Sequence, residues 1–178
     1  MSQVPDNLRR LLQLGYSAER AAAFAYRGHA ASVRSPDEQQ HILKIEAEEW
    51  QHRDNLHRML NAIGAKPSRW LEFKYHCIGK LISGSCFVIG YFMPMYFAGR
   101  LESGNVNEYV RMIELSRGTV LANEHACMIE MARVEKEHEL YFLSCASSHW
   151  MMPLFQRIFG WGPGVSYNTM SVDRVDAA

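Results

Sequence analysis

Apolar positions recur along this chain in the three-to-four-residue rhythm of helices, and no stretch reads convincingly as a strand. The pattern predicts four long helices, over Pro5 to Arg27, Pro36 to Ile63, Phe73 to Leu115 and Val120 to His149. Loop chemistry supports these ends. Gly28 to Pro36 reads as the first connection, where Ser35-Pro36-Asp37-Glu38 combines an N-cap serine with proline at the first helical position. Gly64-Ala65-Lys66-Pro67 closes the second helix, and Gly118 marks the turn before the fourth. The third helix is too long to be plain, so Pro94 and Ser103-Gly104-Asn105 predict a kink or unwound turn beside Glu102. Ala21 to Ala23 with Ala25 form a strip of small residues that lets a neighbouring helix approach closely.

Two uncharged runs change this picture. The nineteen residues Leu81 to Gly99 are long enough for a membrane span. Pro94, Gly84, Gly90, Ser83 and Ser85 interrupt them, however, and Glu102 follows three residues after the run, so a buried central helix is the preferred reading. The second run, Leu140 to Gln156, holds Trp150, Met151, Met152, Leu154 and Phe155 and is followed by Phe159 and Trp161. Such a stretch either lies in a bilayer surface or caps the helices as an additional C-terminal apolar helix or tail. The expected layout is therefore an all-α domain over 1–160 and a tail over 161–178.

Composition narrows the function classes. A chain of 178 residues is one domain's worth, and 19 acidic against 19 basic residues leave no basic surface for nucleic acid. Cys77, Cys86, Cys127 and Cys145 are scattered in apolar stretches without a Cys-x-x-Cys, which excludes a zinc ribbon or disulfide framework and predicts buried, reduced thiols. Met1 to Arg10 has no apolar signal core, so a cytoplasmic protein is expected.

Chemistry enters with two Glu-x-x-His pairs, Glu49 with His52 and Glu135 with His138. Residues i and i+3 share a helix face, so each pair can present a carboxylate and an imidazole to one point. Lone carboxylates stand level with both pairs. Glu19 lies about fourteen residues before the centre of the first loop and Glu49 about sixteen after it, roughly 21 to 24 Å from the turn at ~1.5 Å rise per residue. Glu102 precedes Gly118 by sixteen residues and Glu135 follows it by seventeen. One Glu from each of two helices with Glu-x-x-His from each of two others is the ligand set of ferritin-like four-helix bundles with two metal ions. Two further matches are set aside: Glu38 with His41 lies in a first helical turn, level with Arg27, and Asp54 with His57 falls in a charged, solvent-facing run.

The same stretches resemble the demethoxyubiquinone hydroxylases of ubiquinone biosynthesis, over roughly Leu11 to Phe155. Glu19, Tyr26 and Gly28 match the family's Glu-x6-Tyr-x-Gly, and Lys66-Pro67-Ser68 follows Glu49-Trp-Gln-His52 as a basic residue, proline and small hydroxyl residue do there. Ser83 to Gly90 resembles the run leading to the third ligand, and Arg133-x-Glu135-x-Glu137-His138 the last motif. Two departures stand out: Glu108-Tyr109 replaces a His-Tyr pair near the substrate, and Gly15-Tyr16 replaces Asp-His.

The resemblance implies a di-iron monooxygenase with two iron ions held by Glu19, Glu49, His52, Glu102, Glu135 and His138, dioxygen as co-substrate, and Tyr109 beside the reacting ring. It implies a quinone-like or other aromatic, lipophilic substrate, peripheral contact with the inner face of the cell membrane, and room for a homodimer. Four carboxylates balance two divalent ions, which makes their burial tolerable. Tyr26 reads as a packed core residue, and Glu137 and Glu139 as solvated or as partners of the ligands. Three rival readings remain at this point: a rubrerythrin-like peroxide-reducing enzyme, an iron-binding or storage protein, and a tRNA-hydroxylating relative, the last disfavoured by zero net charge.

Overall fold

A computed structural model describes residues 4–165 of the chain. Among them the protein is all-α, with helices α1 (Asp6–Ser32), α2 (Pro36–Ala62), α3 (Arg69–Ser85), α4 (Phe92–Ser116), α5 (His125–Ala146) and α6 (Met152–Phe159), and a 3-10 turn over Val120–Glu124. The helices sort into two compact units. The first gathers the described residues up to Tyr91 with Leu115–Glu124, and the second Phe92–Glu114 with those from His125 onward.

In the first unit α1 packs against both α2 and α3. Ser35 caps α2, its hydroxyl accepting the Glu38 N–H at 3.4 Å, and Pro36 takes the first helical position where no N–H is needed. Ser68 caps α3 in the same way, accepting the Leu71 N–H at 3.4 Å. Ile42, Ile45, Leu56, Met59 and Leu60 are buried on one stripe of α2, each contributing roughly 1.5 to 3 kcal/mol of apolar burial. The small-residue strip acts as expected. A Cβ built on Gly79 would lie 2.7 Å from the Ala21 backbone, so α1 and α3 meet at van der Waals distance.

Gly28 belongs to this contact and not to a loop. The first helix continues to Ser32, and a Cβ at Gly28 would stand 2.4 Å from the Ser83 carbonyl oxygen. Polar contacts fasten the same unit. Glu72 accepts from Arg53 at 2.6 and 3.0 Å and from Arg20 at 3.1 Å. Burial alone would push its carboxyl up, but hydrogen bonds from Arg53 and Ser17 and the charges of Arg53 and Arg20 outweigh it and hold the group below its ordinary value.

In the second unit α4, α5 and α6 enclose an aromatic cluster. Phe155 stands edge-on to Phe92 and Tyr96, and Tyr96 lies edge-on to Trp161. The Tyr96 hydroxyl is 2.8 Å from the Trp161 carbonyl and 3.0 Å from that of Phe155, and its single proton serves one of them at a time. Trp161, the first residue of the expected tail, is fully buried, with its ring where a Cβ on Gly99 would otherwise sit, at 2.3 Å. Residues 166–178 of that tail lie outside the described residues.

Several expectations are corrected here. The helix expected over Phe73 to Leu115 is two helices, and the break falls at 86–91, where Gly90 takes a left-handed φ of 78°, a conformation that costs glycine little. Pro94 is accommodated in the first turn of α4, where the N–H it lacks has no helical partner to lose, and Ser103-Gly104-Asn105 is regular helix. The fourth helix begins as the 3-10 turn and becomes α-helical only at His125. Only the second half of the apolar run Leu81 to Gly99 is buried helix: Phe92, Met95, Tyr96 and Ala98 are buried on α4, whereas Leu81, Phe87 and Val88 are 74%, 60% and 82% exposed. No helix among the described residues is long and apolar enough to cross a membrane. The second run ends α5 and continues into amphipathic α6, with Met152 and Phe155 inward and Leu154 and Ile158 outward. The cysteines are free, but only Cys86 is buried; Cys77 is exposed because it lies on the uncovered side of α3.

Two outcomes follow from the α1 contacts. Gly28→Ala is expected to destabilise the protein by roughly 1 to 3 kcal/mol through backbone overlap with Ser83. Gly84→Ala, in α3 with open space around it, should be neutral or stabilising, and urea denaturation midpoints separate the two. His29 is buried in α1, which pushes its pKa down from 6.5 to about 4. The unfolded chain therefore binds a proton that the folded one refuses, so this contribution is complete above pH 6.5 and is lost as pH falls toward 4. The expected loss is about 3 kcal/mol over that window, and His29→Gln should flatten it in denaturation measured at successive pH values.

Candidate metal centre

The core stripe of α2 runs Ile42, Ile45, Glu49, His52, Leu56, Met59, with steps of three and four residues throughout. Glu49 and His52 thus occupy positions where helix packing calls for aliphatic side chains. The stripe of α5 repeats the arrangement, running Met128, Met131, Glu135, His138, Phe142. On α1, Glu19 follows Leu8, Leu12 and Gly15, and on α4 Glu102 follows Met95 and Ala98 and precedes Val106 and Tyr109. The aliphatic and aromatic neighbours bury all six polar groups. Glu49 and Glu135 are 0% exposed and none of the six exceeds 4%.

Within the first unit, the connection between α1 and α2 is only 33–35, so Glu19 and Glu49 each lie fifteen residues from its centre at Arg34. Ligand atoms of Glu19, Glu49 and His52 come within 4.8 Å of one another. Within the second unit, ligand atoms of Glu102, Glu135 and His138 do the same. Each unit therefore assembles one triad of two carboxylates and an imidazole. Glu38 and His41 are not part of either, Glu38 instead accepting from the Tyr91 hydroxyl at 2.7 Å, and Asp54 and His57 are solvent-facing as expected.

These donor sets fit divalent metal ions. Carboxylate oxygens and neutral imidazole nitrogens are the donors that suit iron and manganese. Two ionised carboxylates this close in a dry site repel each other strongly unless a cation or a proton lies between them. His138 Nδ1 stands 3.9 Å from Glu135 Oε2, beyond hydrogen-bond reach.

Neighbouring groups shape the second triad. The Asn105 side chain donates from Nδ2 to Glu102 Oε2 at 2.8 Å and lies 3.3 Å from Glu135 Oε2. Sequence reasoning treated Asn105 only as a helix breaker, although its position three residues after Glu102 on the same face carried the signal. Glu139 is buried and accepts from Lys136 at 2.6 Å and from the Trp161 indole N–H at 3.0 Å. Burial would raise its carboxyl, but those bonds, one from Ser103 and the charge of Lys136 hold it below its ordinary value. Glu137 points outward to Arg133.

Tyr109 and Tyr26 are both buried, at 2% and 5% exposure, and neither belongs to a triad. Glu108 is half-buried, and burial pushes its carboxyl above the ordinary value; Arg111 opposes this shift and the charge of Glu135 adds to it. No protein-family model matches this chain, and neither does any curated protein or solved structure. The triads are therefore read from their own chemistry.

Crowded buried carboxylates have a measurable consequence. In the presence of a chelator, Glu49→Gln should melt above the wild type, because it removes a buried charge while keeping the side-chain shape. A gain of about 1 kcal/mol corresponds to roughly 2 to 4 °C for a chain of this size. Added Fe(II) or Mn(II) should raise the wild-type melting temperature and leave the variant nearly unmoved. A variant melting below wild type in chelator would show that Glu49 is a structural group.

Proposed function

We propose that the two triads together hold a pair of iron ions in a ferritin-like di-iron monooxygenase. The observation that carries this reading is the placement of Glu-x-x-His twice on core stripes, each time beside a level, buried Glu from another helix of the same unit. Six donors with four negative charges match two divalent ions in number and charge. When bound, the metal pair would supply the electrons that activate dioxygen for insertion of one oxygen atom into an aromatic ring.

The remaining work falls to the protein. Packing around the triads excludes water, so ionised carboxylates there are costly until a cation is bound. Tyr109, buried on α4 seven residues beyond Glu102, lies on the same face two turns along and would sit beside the ring. Glu108 precedes it, and its raised pKa lets it hold a proton nearer neutrality and donate to a substrate oxygen, the part that an imidazolium would play at this position.

The substrate best suited is quinone-like and lipophilic. Trp70, Phe73, Leu81, Phe87 and Val88 are exposed along α3 and the turn after it, with Arg69, Lys74 and Lys80 on the same helix. Large exposed apolar side chains with cations beside them favour contact with an anionic membrane surface, where such a substrate dissolves. On this reading the protein works at the inner face of the membrane.

The test is anaerobic loading with Fe(II), then dioxygen, with product analysis on a short-chain demethoxyubiquinone and on simple phenols. Two irons per chain and one hydroxylated product per metal pair are expected, and Glu135→Ala should lose both. Glu108→His should change quinone turnover while iron content stays at two. Consumption of dioxygen without hydroxylation of any quinone or phenol would refute the reading.

A further inference from the structure

Both carboxylates of the second triad meet one neutral side chain. The Asn105 Nδ2 is 2.8 Å from Glu102 Oε2 and 3.3 Å from Glu135 Oε2. The carboxylates accept only, so the nitrogen end of the amide must face them, and its two N–H bonds diverge widely enough to serve both. Position sets this up: Asn105 follows Glu102 by three residues on α4, and Glu135 is on α5 of the same unit. The corresponding position after Glu19 is Ala22, whose side chain donates nothing.

We propose that Asn105 is a positioning residue that holds Oε2 of Glu102 and of Glu135 away from the metal, so that each carboxylate offers its other oxygen alone to the ion on the His138 side. This rests on the metal-pair reading above. A carboxylate with one oxygen engaged by an amide occupies one coordination position where a free one can take two. Asn105 thereby keeps that ion open to an outside ligand. The ion near Glu102, Glu135 and His138 is therefore the one that accepts the exogenous ligand. The clamp adds no charge, and a carboxylate in its place would add a fifth negative group.

Cobalt(II) titration of the full chain tests this, since the visible absorption of Co(II) strengthens as coordination number falls, and azide serves as the outside ligand. Wild type is expected to bind two Co(II) and to change spectrum on azide addition. Asn105→Ala should bind one of the two ions roughly 10- to 100-fold more weakly, show weaker absorption and lose the azide response. Asn105→Gln, which keeps the amide, should restore part of that response, and Asn105→Asp should not. An alanine variant with wild-type absorption and azide response overturns the clamp while leaving the metal pair standing. A wild type that binds no Co(II), Fe(II) or Mn(II) overturns both.

Discussion

Four carboxylates placed on core stripes constrain everything else in this protein. A charge taken out of water costs several kcal/mol unless it is paired, so such positions persist only where the site receives cations or protons. The helices surrounding them are accordingly conservative in design. Ile42, Ile45, Leu56 and Met59 flank Glu49 and His52, and Met128, Met131 and Phe142 flank Glu135 and His138, so the apolar burial that holds each helix in place is supplied on both sides of the polar step. The loss of two aliphatic positions per stripe is confined to one turn.

The supports of the two units differ in kind. In the first, small residues bring backbones together at Ala21 and Gly79 and at Gly28 and Ser83, and the paired charges of Glu72, Arg53 and Arg20 fasten α1, α2 and α3. In the second, aromatic rings take over, with Trp161 filling the space over Gly99 and donating to the buried Glu139 one residue after His138. Close backbone approach leaves little room for relaxation, whereas ring packing around one tryptophan ties the end of the described chain to the helix that carries Glu135 and His138.

The uncovered side of α3 has the opposite character. Trp70, Phe73 and Leu81 of that helix are left outside, although its polar Glu72 is drawn inward to Arg53. The exposed face thus mixes large apolar side chains with Arg69, Lys74 and Lys80, and α6 also turns Leu154 and Ile158 outward.

The sequence alone determined the helical class, the caps at Ser35 and Pro36, and the membership of both triads. Those features depend on local chemistry and on i, i+3 periodicity, which a linear chain displays. The level argument for Glu19 and Glu49 survived an error in the loop, because shortening the connection to 33–35 moved its centre by only about one residue. What tertiary structure decided was every question of what covers what. An apolar run from Leu81 looks the same whether it is enclosed or bare, and only packing left Leu81, Phe87 and Val88 outside while Phe92, Met95 and Tyr96 went inside. Gly28 and Asn105 carried meaning as breakers in the chain but acquired different ones in space, a helix contact and a bridge across two carboxylates, because both depend on atoms brought in from distant residues, Ser83 and Glu135.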